Sequence, residues 1–285
     1  MRNLKRALSL ALAFVMVMSM MVVGAGAVSI DDFTDAEEIV NTEAVTTMVS
    51  LGVIDGNDDG SYNPTGVVKR GEMAKLISVM LNGGKDPVLG TKATPTYSDI
   101  DNHWAESYIE YCTTEGVISG QGDGTFNPDG SVTGSQAALV ALGYDSAAYN
   151  FTGIDWEVNT NRIANSEADL YDGLAGINPS EAISRDNAAQ MLYNVLDAKT
   201  KVMRPTTSTN GTIEYTYYDG DSFMETKFGA VKVEGVVIAN EIADLTSNAA
   251  NGGHRDANRT QIRVTNYGTG NGEQDDFKTS LTVQA

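Results

Sequence analysis

Cysteine and histidine are scarce in this sequence of 285 residues, and each shortage excludes a kind of site. Cys112 is the single cysteine, so no disulfide can form within one chain, and we predict that it is a small buried apolar residue. The two histidines, His103 and His254, lie far apart and outside any metal-spaced cluster. The sequence also lacks a Gly-x-Ser-x-Gly elbow and a phosphate-binding loop. We therefore predict no enzyme activity, no metal site and no cofactor.

Positive charge is also scarce, with 19 basic against 38 acidic residues. Without Arg2, Lys5 and Arg6, which stand at the N-terminus before an apolar run, 16 basic residues remain and the formal charge is −22. So acidic a chain is a poor general partner for nucleic acid or for anionic lipid surfaces. The composition fits a solvated extracellular protein.

Only one long apolar run occurs, from Ala7 to Val23. The basic start precedes it, and Ala25-Gly26-Ala27 follows it, which is the small-x-small pattern of a signal peptidase site. We predict that residues 1–27 are a cleaved signal peptide, that the protein is secreted, and that no stable membrane span remains after cleavage.

The sequence contains an internal repeat. "GVIDGNDDGSYNP" (52–64) and "GVISGQGDGTFNP" (116–128) agree at eight of thirteen positions. Read alone, Asp55, Asn57 and Asp59 resemble the start of a calcium loop. The second copy has Ser119 and Gln121 in place of the first two, and neither can supply a carboxylate. The shared glycines, Asp-Gly pair and Asn-Pro favour a turn, with calcium at Asp55 and Asn57 as the open alternative.

Helical periodicity surrounds both loops. Ala105, Tyr108, Ile109 and Cys112 form an apolar stripe before the second loop, and we expect the matching helix of the first copy at about residues 36–50. A diverged third copy is predicted further on. Its first helix runs from Trp156 through Ile163 and Leu170 to about Gly173, and its second carries the stripe Ala188, Met191, Leu192 and Val195.

Three stretches carry a family resemblance: "FTDAEEI", "YSDIDNHWAESYIEYCTTEGVISGQGDGTFNPDGSVTGSQAA" and "ISRDNAAQMLYNVLDA". They resemble three S-layer homology repeats of Gram-positive bacterial surface proteins, over about residues 31–199. The resemblance implies a mainly α protein in which three helix–loop–helix repeats form a pseudo-threefold bundle. It also implies non-covalent anchoring to an acidic, often pyruvylated, secondary cell-wall polysaccharide, and it leaves self-assembly open.

The resemblance implies a set of binding residues, which includes the arginine of a Thr-Arg-Ala-Glu box. That box reads "KRGE" (69–72), "TGSQ" (133–136) and "SRDN" (184–187) here, so the second copy lacks the arginine. The residues implied to bind polysaccharide are Arg70, Arg185, Trp104, Asp99, Gly56 and Gly120.

Three of these assignments, those of the two arginines and of Trp104, have a structural alternative. Either arginine could instead pair with a nearby acid such as Glu72 or Asp186. Trp104 could be a core anchor, which we favour over sugar stacking because aromatic residues at a helix start commonly pack against the incoming chain. The 64-residue period places Val40 at the corresponding position of the first copy.

The last third of the chain differs from the repeats in composition and in hydrophobic pattern. "RPTTSTNGT" (204–212) is typical of a linker, and it precedes runs that favour strands: "TIEYTYY", "GAVKVEGVVIAN", "TQIRVTNY" and "TSLTVQA". We expect a small β-rich module that the chain leaves incomplete. The predicted organisation is signal peptide 1–27, repeats 28–90, 91–148 and 149–200, linker 201–212 and β-rich module 213–285.

These expectations favour one function over two others. The favoured hypothesis is a non-enzymatic protein of the cell wall or cell surface, anchored through its repeats, with the β-module serving display or assembly. A wall-anchored glycan hydrolase whose catalytic domain lies outside this chain is the first alternative. The second is an S-layer structural protein whose repeats no longer bind sugar.

Overall fold

The computed structural model describes residues 30–142, 154–166, 169–174, 177–207, 213–230, 233–239, 260–267 and 276–279. The predicted signal peptide, His254 and most of the last predicted strand run lie outside these residues. Residues 24–228 make one compact unit, and residues 229–285 belong to another.

The described residues of the larger unit form six α-helices. They are α1 (Thr42–Ser50), α2 (Arg70–Leu81), α3 (Glu106–Thr114), α4 (Gly134–Leu142), α5 (Trp156–Ser166) and α6 (Arg185–Asp197). The predicted apolar stripes face the core, since Ile109 and Cys112 of α3 and Met191 and Leu192 of α6 are buried. The prediction of a buried Cys112 is confirmed. Burial raises the pKa of its thiol to about 11, although Ser78 Oγ lies 3.1 Å from the sulfur.

Two helix boundaries differ from the prediction. The helix expected from about Ala36 is divided into a short 3-10 turn, Ala36–Glu38, and α1. The division has a tertiary cause, because Ile39 is extended and buried and the N–H of Asn41 donates to the carboxylate of Asp186, 145 residues away. Helix α5 ends at Ser166, and Leu170 is buried beyond it, with its N–H donating to the carbonyl of Ala164.

The second helix of each hairpin begins against the loop of another segment. In every case the first two backbone N–H groups of the helix donate to two loop carbonyls, which satisfies donors that a helix start leaves free. The pairs are Arg70 to Gly130 (2.9 Å) and Gly71 to Pro128 (2.8 Å), Gly134 to Glu181 (2.9 Å) and Ser135 to Pro179 (2.7 Å), and Arg185 to Gly66 (2.8 Å) and Asp186 to Pro64 (3.0 Å).

Three buried residues just before these helices form a closed ring of backbone hydrogen bonds. The N–H of Val68 donates to Ile183 (3.1 Å), that of Ile183 to Val132 (2.8 Å), and that of Val132 to Val68 (2.9 Å). The ring joins positions that are at least 51 residues apart in the sequence. The relative placement of α2, α4 and α6 is therefore fixed by main-chain contacts.

After the helices, the described residues form two antiparallel sheets. Strands β1 (Lys199–Thr207) and β2 (Ile213–Ser222) pair in the larger unit, and β3 (Val233–Ala239), β4 (Thr260–Tyr267) and β5 (Asp276–Thr279) form a three-stranded sheet in the order 3-4-5. The predicted linker 201–212 is wrong over residues 201–207, which belong to β1. Pro205 is compatible with this strand because each strand of a two-stranded sheet has an unpaired edge, where a missing N–H is tolerated.

Among the described residues, none of the helices combines the length and the apolar character needed to cross a membrane.

Candidate functional site

The repeated Asp-Gly loops are turns that use their own polar side chains. In the first loop Asp59 Oδ1 accepts hydrogen bonds from the N–H (2.9 Å) and the hydroxyl (2.7 Å) of Ser61, and in the second Asp123 does the same with Thr125. These hydrogen bonds lower the pKa of both carboxyl groups. Asn57 Nδ2 likewise donates to Ser61 Oγ (3.0 Å). Asn57 and Asp59, which resemble calcium ligands, thus stabilise the turn of the first loop, and Asp123 stabilises that of the second.

In the part of the chain that the structure describes, no three His, Cys, Asp or Glu side chains are placed to hold a metal ion together.

Asp99 positions the end of the second loop. Its two carboxylate oxygens accept hydrogen bonds from the backbone N–H groups of Phe126 (2.8 Å) and Asn127 (2.7 Å). The first copy contains a matching clamp that the sequence interpretation did not single out, in which Asp35 binds the N–H groups of Tyr62 and Asn63, both at 2.7 Å. The alignment of "FTDAEEI" with "YSDIDN" carries the signal that could have identified it.

Gly56 and Gly120 occupy places with no room for a side chain. A Cβ atom on Gly56 would lie 2.6 Å from the ring of Phe33, and one on Gly120 would lie 2.4 Å from the ring of Tyr97 and 2.6 Å from the carbonyl oxygen of Thr125. Both glycines therefore let an aromatic ring pack directly against the loop backbone.

Arg185, the first residue of α6, lies against the loop of the first copy. Its Nε donates to the carbonyl of Tyr62 (2.8 Å) and its Nη2 to that of Asp55 (3.5 Å), and the guanidinium carbon lies 5.2 Å from the centre of the Tyr62 ring. These contacts span 123 and 130 residues of sequence. The arginine that begins α6 thus contacts the loop of the first copy.

Arg70, the first residue of α2, makes the corresponding contacts with the loop of the second copy. Its Nε donates to the carbonyl of Phe126 (2.7 Å) and its Nη2 to that of Ser119 (3.0 Å), with the guanidinium carbon 4.3 Å from the centre of the Phe126 ring. Burial lowers the pKa of this guanidinium, and the nearby Tyr97 and Asp99 partly oppose the shift. An arginine side chain stays charged despite such a shift.

Neither arginine pairs with the acid that its neighbourhood in the sequence offers. Glu72 accepts a hydrogen bond from the N–H of Lys69 (2.9 Å), and Asp186 accepts from the side chain of Asn41 (2.7 Å). Among the described residues, no carboxylate oxygen lies within 4.0 Å of either guanidinium. The ion-pair alternative is therefore wrong for Glu72 and Asp186, and each guanidinium lies against its loop with no carboxylate of a described residue at ion-pair distance.

Trp104 is not a core residue, because 54% of its surface is exposed. It lines a groove of about 220 Å³ together with Gly56 and Arg185. His103 and Tyr108 flank its ring, with centroids 5.6 Å and 6.4 Å away. The core interpretation that we favoured from sequence is wrong, since the helix start is anchored instead by the buried Ala105.

The structure thus divides the six residues into two groups. Gly56, Trp104 and Arg185 line one groove, which is called the first groove below. Arg70, Asp99 and Gly120 belong to the second loop, and the contact of Arg70 with that loop is called the second arginine site. Helix α4 begins with Gly134 at the third corresponding place, which has no arginine.

Sequence reasoning missed one cation of the first groove. Lys75 of α2 lines it, and so does Glu72 one turn earlier. The spacing of three residues, which places both on one helix face, was the available signal. What the sequence alone did not show is that this face meets the start of α6.

Comparison with known proteins gives a family match. Residues 32–74 and 96–138, together less than a third of the chain, match the S-layer homology domain. The segments cover both Asp-Gly loops, both aspartate clamps, Arg70 and Trp104. Arg185 lies outside them.

The chain is also similar to wall and surface proteins of bacteria. An uncharacterized cell wall amidase of Bacillus anthracis is 35% identical over 92 residues, which is 32% of this chain and 17% of the relative. An S-layer protein of Bacillus licheniformis is 31% identical over 108 residues, 38% of this chain and 11% of the relative. A cellulosome-anchoring protein of Acetivibrio thermocellus is 34% identical over 86 residues, 30% of this chain and 19% of the relative. The similarity thus spans a fifth or less of each of these relatives.

Proposed function

Because the chain is an S-layer homology repeat protein of the cell surface, we propose that it anchors a surface protein non-covalently to the bacterial cell wall. The proposed ligand is an acidic secondary cell-wall polysaccharide, and pyruvylated sugars fit the chemistry of the site. The observation that carries the proposal is the pair of guanidinium groups, Arg70 and Arg185, each held by two loop carbonyls and paired with no carboxylate of a described residue.

The electrostatics support an anionic ligand at these places. The ketal carboxylate of a pyruvylated sugar is a planar anion, and a guanidinium can bind such a group through two parallel hydrogen bonds. Nε and one Nη2 hydrogen of each arginine are engaged by the loop, so Nη1 and the second Nη2 hydrogen can donate to a ligand. In a protein of strongly negative net charge, such sites are local exceptions to the overall field.

The ring of main-chain hydrogen bonds supports a third repeat. We propose that residues 149–200 are a diverged third copy and that the three copies form a pseudo-threefold bundle. Val68, Val132 and Ile183 take equivalent places in the ring, and α2, α4 and α6 begin with the same pair of N–H contacts. The third copy supplies Arg185 to the first groove, so the binding function depends on it.

A display or assembly role for residues 213–285 is part of the proposal. Strands β3, β4 and β5 pair with one another in antiparallel fashion within that range, whereas β2 pairs with β1, which precedes the range. The named relatives are mostly S-layer or anchoring proteins, which fits a non-enzymatic role for this chain. The amidase matches only the repeat region, so it supports shared anchoring and not shared chemistry.

A wall pull-down tests the proposal. The chain without residues 1–27 is incubated with purified Gram-positive cell walls that retain their polysaccharide and with walls from which the polysaccharide has been extracted by acid. We expect binding to the first and none to the second. Arg70→Ala combined with Arg185→Ala should reduce the bound fraction at least about tenfold, since each substitution removes a charged hydrogen-bond donor worth about 1.5–3 kcal/mol.

A matched control separates the site from the loss of charge. Arg162→Ala combined with Lys85→Ala also removes two positive charges, but both residues are exposed and lie outside the two arginine sites. This control should bind as the wild type does. Equal loss in both double variants would contradict a specific site, and absence of wild-type binding would favour a structural protein whose repeats no longer hold sugar.

A further inference from the structure

We propose that the three helix pairs of the larger unit carry a pairing code, which is a set of three chemically different contacts at one equivalent position. The code lets the first helix of each hairpin accept only one second helix. The pairs are α1 with α6, α3 with α2, and α5 with α4. The code acts on the assembly of the helices and not on a ligand, so its test is independent of the proposed function.

The equivalent position lies where two helices begin side by side. One member of each contact is the second residue of α2, α4 or α6, which is buried and whose N–H donates to the carbonyl of a loop proline. These second residues are Gly71, Ser135 and Asp186. The other member stands at the start of the partner helix and follows the position of Trp104 in the alignment of the copies. These partners are Ala105, Glu157 and Asn41.

The contact between α2 and α3 is apolar and has no spare room. Ala105 is fully buried, and a Cβ atom on Gly71 would lie 3.1 Å from the Cβ atom of Ala105 and 3.3 Å from the carbonyl oxygen of Pro128. A polar side chain in place of Gly71 would find neither a donor nor an acceptor in the Ala105 methyl group. This pair therefore excludes both bulk and charge.

The contact between α4 and α5 joins a hydroxyl group and a carboxylate. Ser135 Oγ is fully buried and lies 3.0 Å from Glu157 Oε1 and 3.0 Å from the carbonyl oxygen of Pro179. Asn161 Nδ2 donates to the same hydroxyl oxygen (3.0 Å), and Ser180 Oγ donates to Glu157 Oε1 (3.1 Å). The acid of this pair belongs to the first helix.

The contact between α6 and α1 has the acid on the second helix. Asn41 donates to the buried carboxylate of Asp186 through its backbone N–H (3.2 Å) and through Nδ2 (2.7 Å). Burial raises the pKa of this carboxyl, although the hydrogen bonds from Asn41 oppose the shift. Ala105 could not replace Asn41, because it has no side-chain donor and its N–H donates to His103 Nδ1 (3.1 Å). Since Asp186 directly follows Arg185, the contact that selects α6 also brings Arg185 to the loop of the first copy.

Every other assignment of the helices leaves a carboxylate without its donor. If Asp186 does not meet Asn41, it meets either the methyl group of Ala105 or the carboxylate of Glu157. If only the other two pairs are exchanged, Glu157 meets Gly71 and loses the hydroxyl of Ser135. A carboxylate at a buried contact is costly without a hydrogen-bond donor, and a second carboxylate beside it adds repulsion. The observed order of the helices is thus the only one that satisfies all three contacts.

Transplanting one contact onto another helix pair tests the code. Asn41→Glu, which copies Glu157, places a second carboxylate beside Asp186 and should raise the unfolding equilibrium constant about a hundredfold. Asp186→Ser, which copies Ser135, leaves Asn41 without its acceptor and should raise this constant about tenfold. The two changes together reproduce the contact of Ser135 with Glu157 and should return the constant to within about tenfold of the wild type. Independent effects would multiply to about a thousandfold.

Urea unfolding of the chain without residues 1–27 measures these constants by tryptophan fluorescence. The sequence contains two tryptophans, Trp104 and Trp156, and both lie in the larger unit, so the signal reports that unit. The matched control is Thr42→Glu, which adds the same charge at the exposed neighbour of Asn41. This control should stay within about twofold of the wild type.

A second transplant adds no charge. Asn41→Ala leaves Asp186 without its side-chain donor and should raise the unfolding constant at least about tenfold, and the addition of Asp186→Gly, which copies the contact of Ala105 with Gly71, should lower it again. Effects that multiply in both transplants would overturn the pairing code. If Asn41→Glu alone shows no cooperative transition, its return on addition of Asp186→Ser is the expected rescue, and a double variant that also lacks the transition would contradict the code.

Discussion

At the scale of single residues, main-chain oxygens position the cations of the candidate sites. Arg70 and Arg185 each donate through Nε and Nη2 to two carbonyls of one loop. A neutral carbonyl orients a guanidinium without cancelling its charge, whereas a carboxylate would do both. The aspartates that could have paired with the arginines are used elsewhere, Asp186 by Asn41 and Asp99 by the loop backbone. The loop carbonyls thus hold each guanidinium in place without neutralising its charge.

Trp104 gives a prediction at this scale. Because its ring is more than half exposed, Trp104→Ala should lower the free energy of unfolding by less than about 1 kcal/mol while reducing wall binding. Ile109→Ala is the contrasting variant, since Ile109 is fully buried and its truncation should cost about 2–5 kcal/mol. Urea unfolding and the wall pull-down measure the two effects. A large loss of stability in Trp104→Ala would restore the core interpretation.

At the scale of elements, Lys92 and Thr96 of the connection between α2 and α3 bind to Glu110 of α3. These contacts are called the strap. Glu110 of α3 is buried, and it accepts hydrogen bonds from the ammonium of Lys92 and from the N–H and hydroxyl of Thr96. Burial raises the pKa of this carboxyl, but the hydrogen bonds from Lys92 and Thr96 outweigh burial and leave it below its ordinary value of 4.5. The strap therefore depends on an ionised Glu110.

The pH dependence of stability tests this strap. A carboxyl whose pKa is lower in the folded protein stabilises the fold above its unfolded pKa, and this contribution disappears as the pH falls through the folded value. We expect Glu110→Gln to lose about 1–3 kcal/mol at neutral pH and to show a smaller fall in Tm than the wild type between about pH 5 and about pH 3. Glu115→Gln, at an exposed position of the same region, should keep the wild-type profile. Parallel profiles for wild type and Glu110→Gln would contradict the assignment.

At the scale of the whole larger unit, the ring of Val68, Val132 and Ile183 makes the segments interdependent. Each member supplies one donor and one acceptor to the other two, so removal of one segment leaves buried backbone groups unpaired in both remaining ones. An unpaired buried backbone group costs about 1–3 kcal/mol, and the ends of the helices add to this cost. The unit is therefore expected to fold in one cooperative step.

Truncation tests this interdependence. A chain of residues 28–142 keeps both segments that match the family domain but loses Ile183 and Arg185. We expect it to lack a cooperative thermal transition, whereas residues 28–228 should unfold in a single one. Circular dichroism at 222 nm measures both chains. A cooperative transition in residues 28–142 with a Tm close to that of residues 28–228 would show that the first two segments are self-sufficient.

Much of the local structure could be predicted from sequence. The apolar stripes of α3 and α6, the burial of Cys112 and the turn character of the Asp-Gly loops follow from spacing and residue type, because these features depend on neighbours within a few positions. The predictions were wrong where contacts between residues far apart in the sequence determine the local structure. The first helix starts late because Asn41 binds Asp186, and residues 201–207 form a strand because β2 pairs with them.

The sequence by itself determined that the chain carries repeated helix–loop–helix units, with arginines at the starts of two of their helices and none at a third. Only the tertiary structure decided which loop each arginine meets, that Trp104 is exposed, and that Lys75 shares a groove with Arg185. The physical reason is the range of the interactions. Periodicity and turn chemistry act within a repeat, whereas the partner of each helix start is fixed by a closed ring of hydrogen bonds between residues at least 51 positions apart.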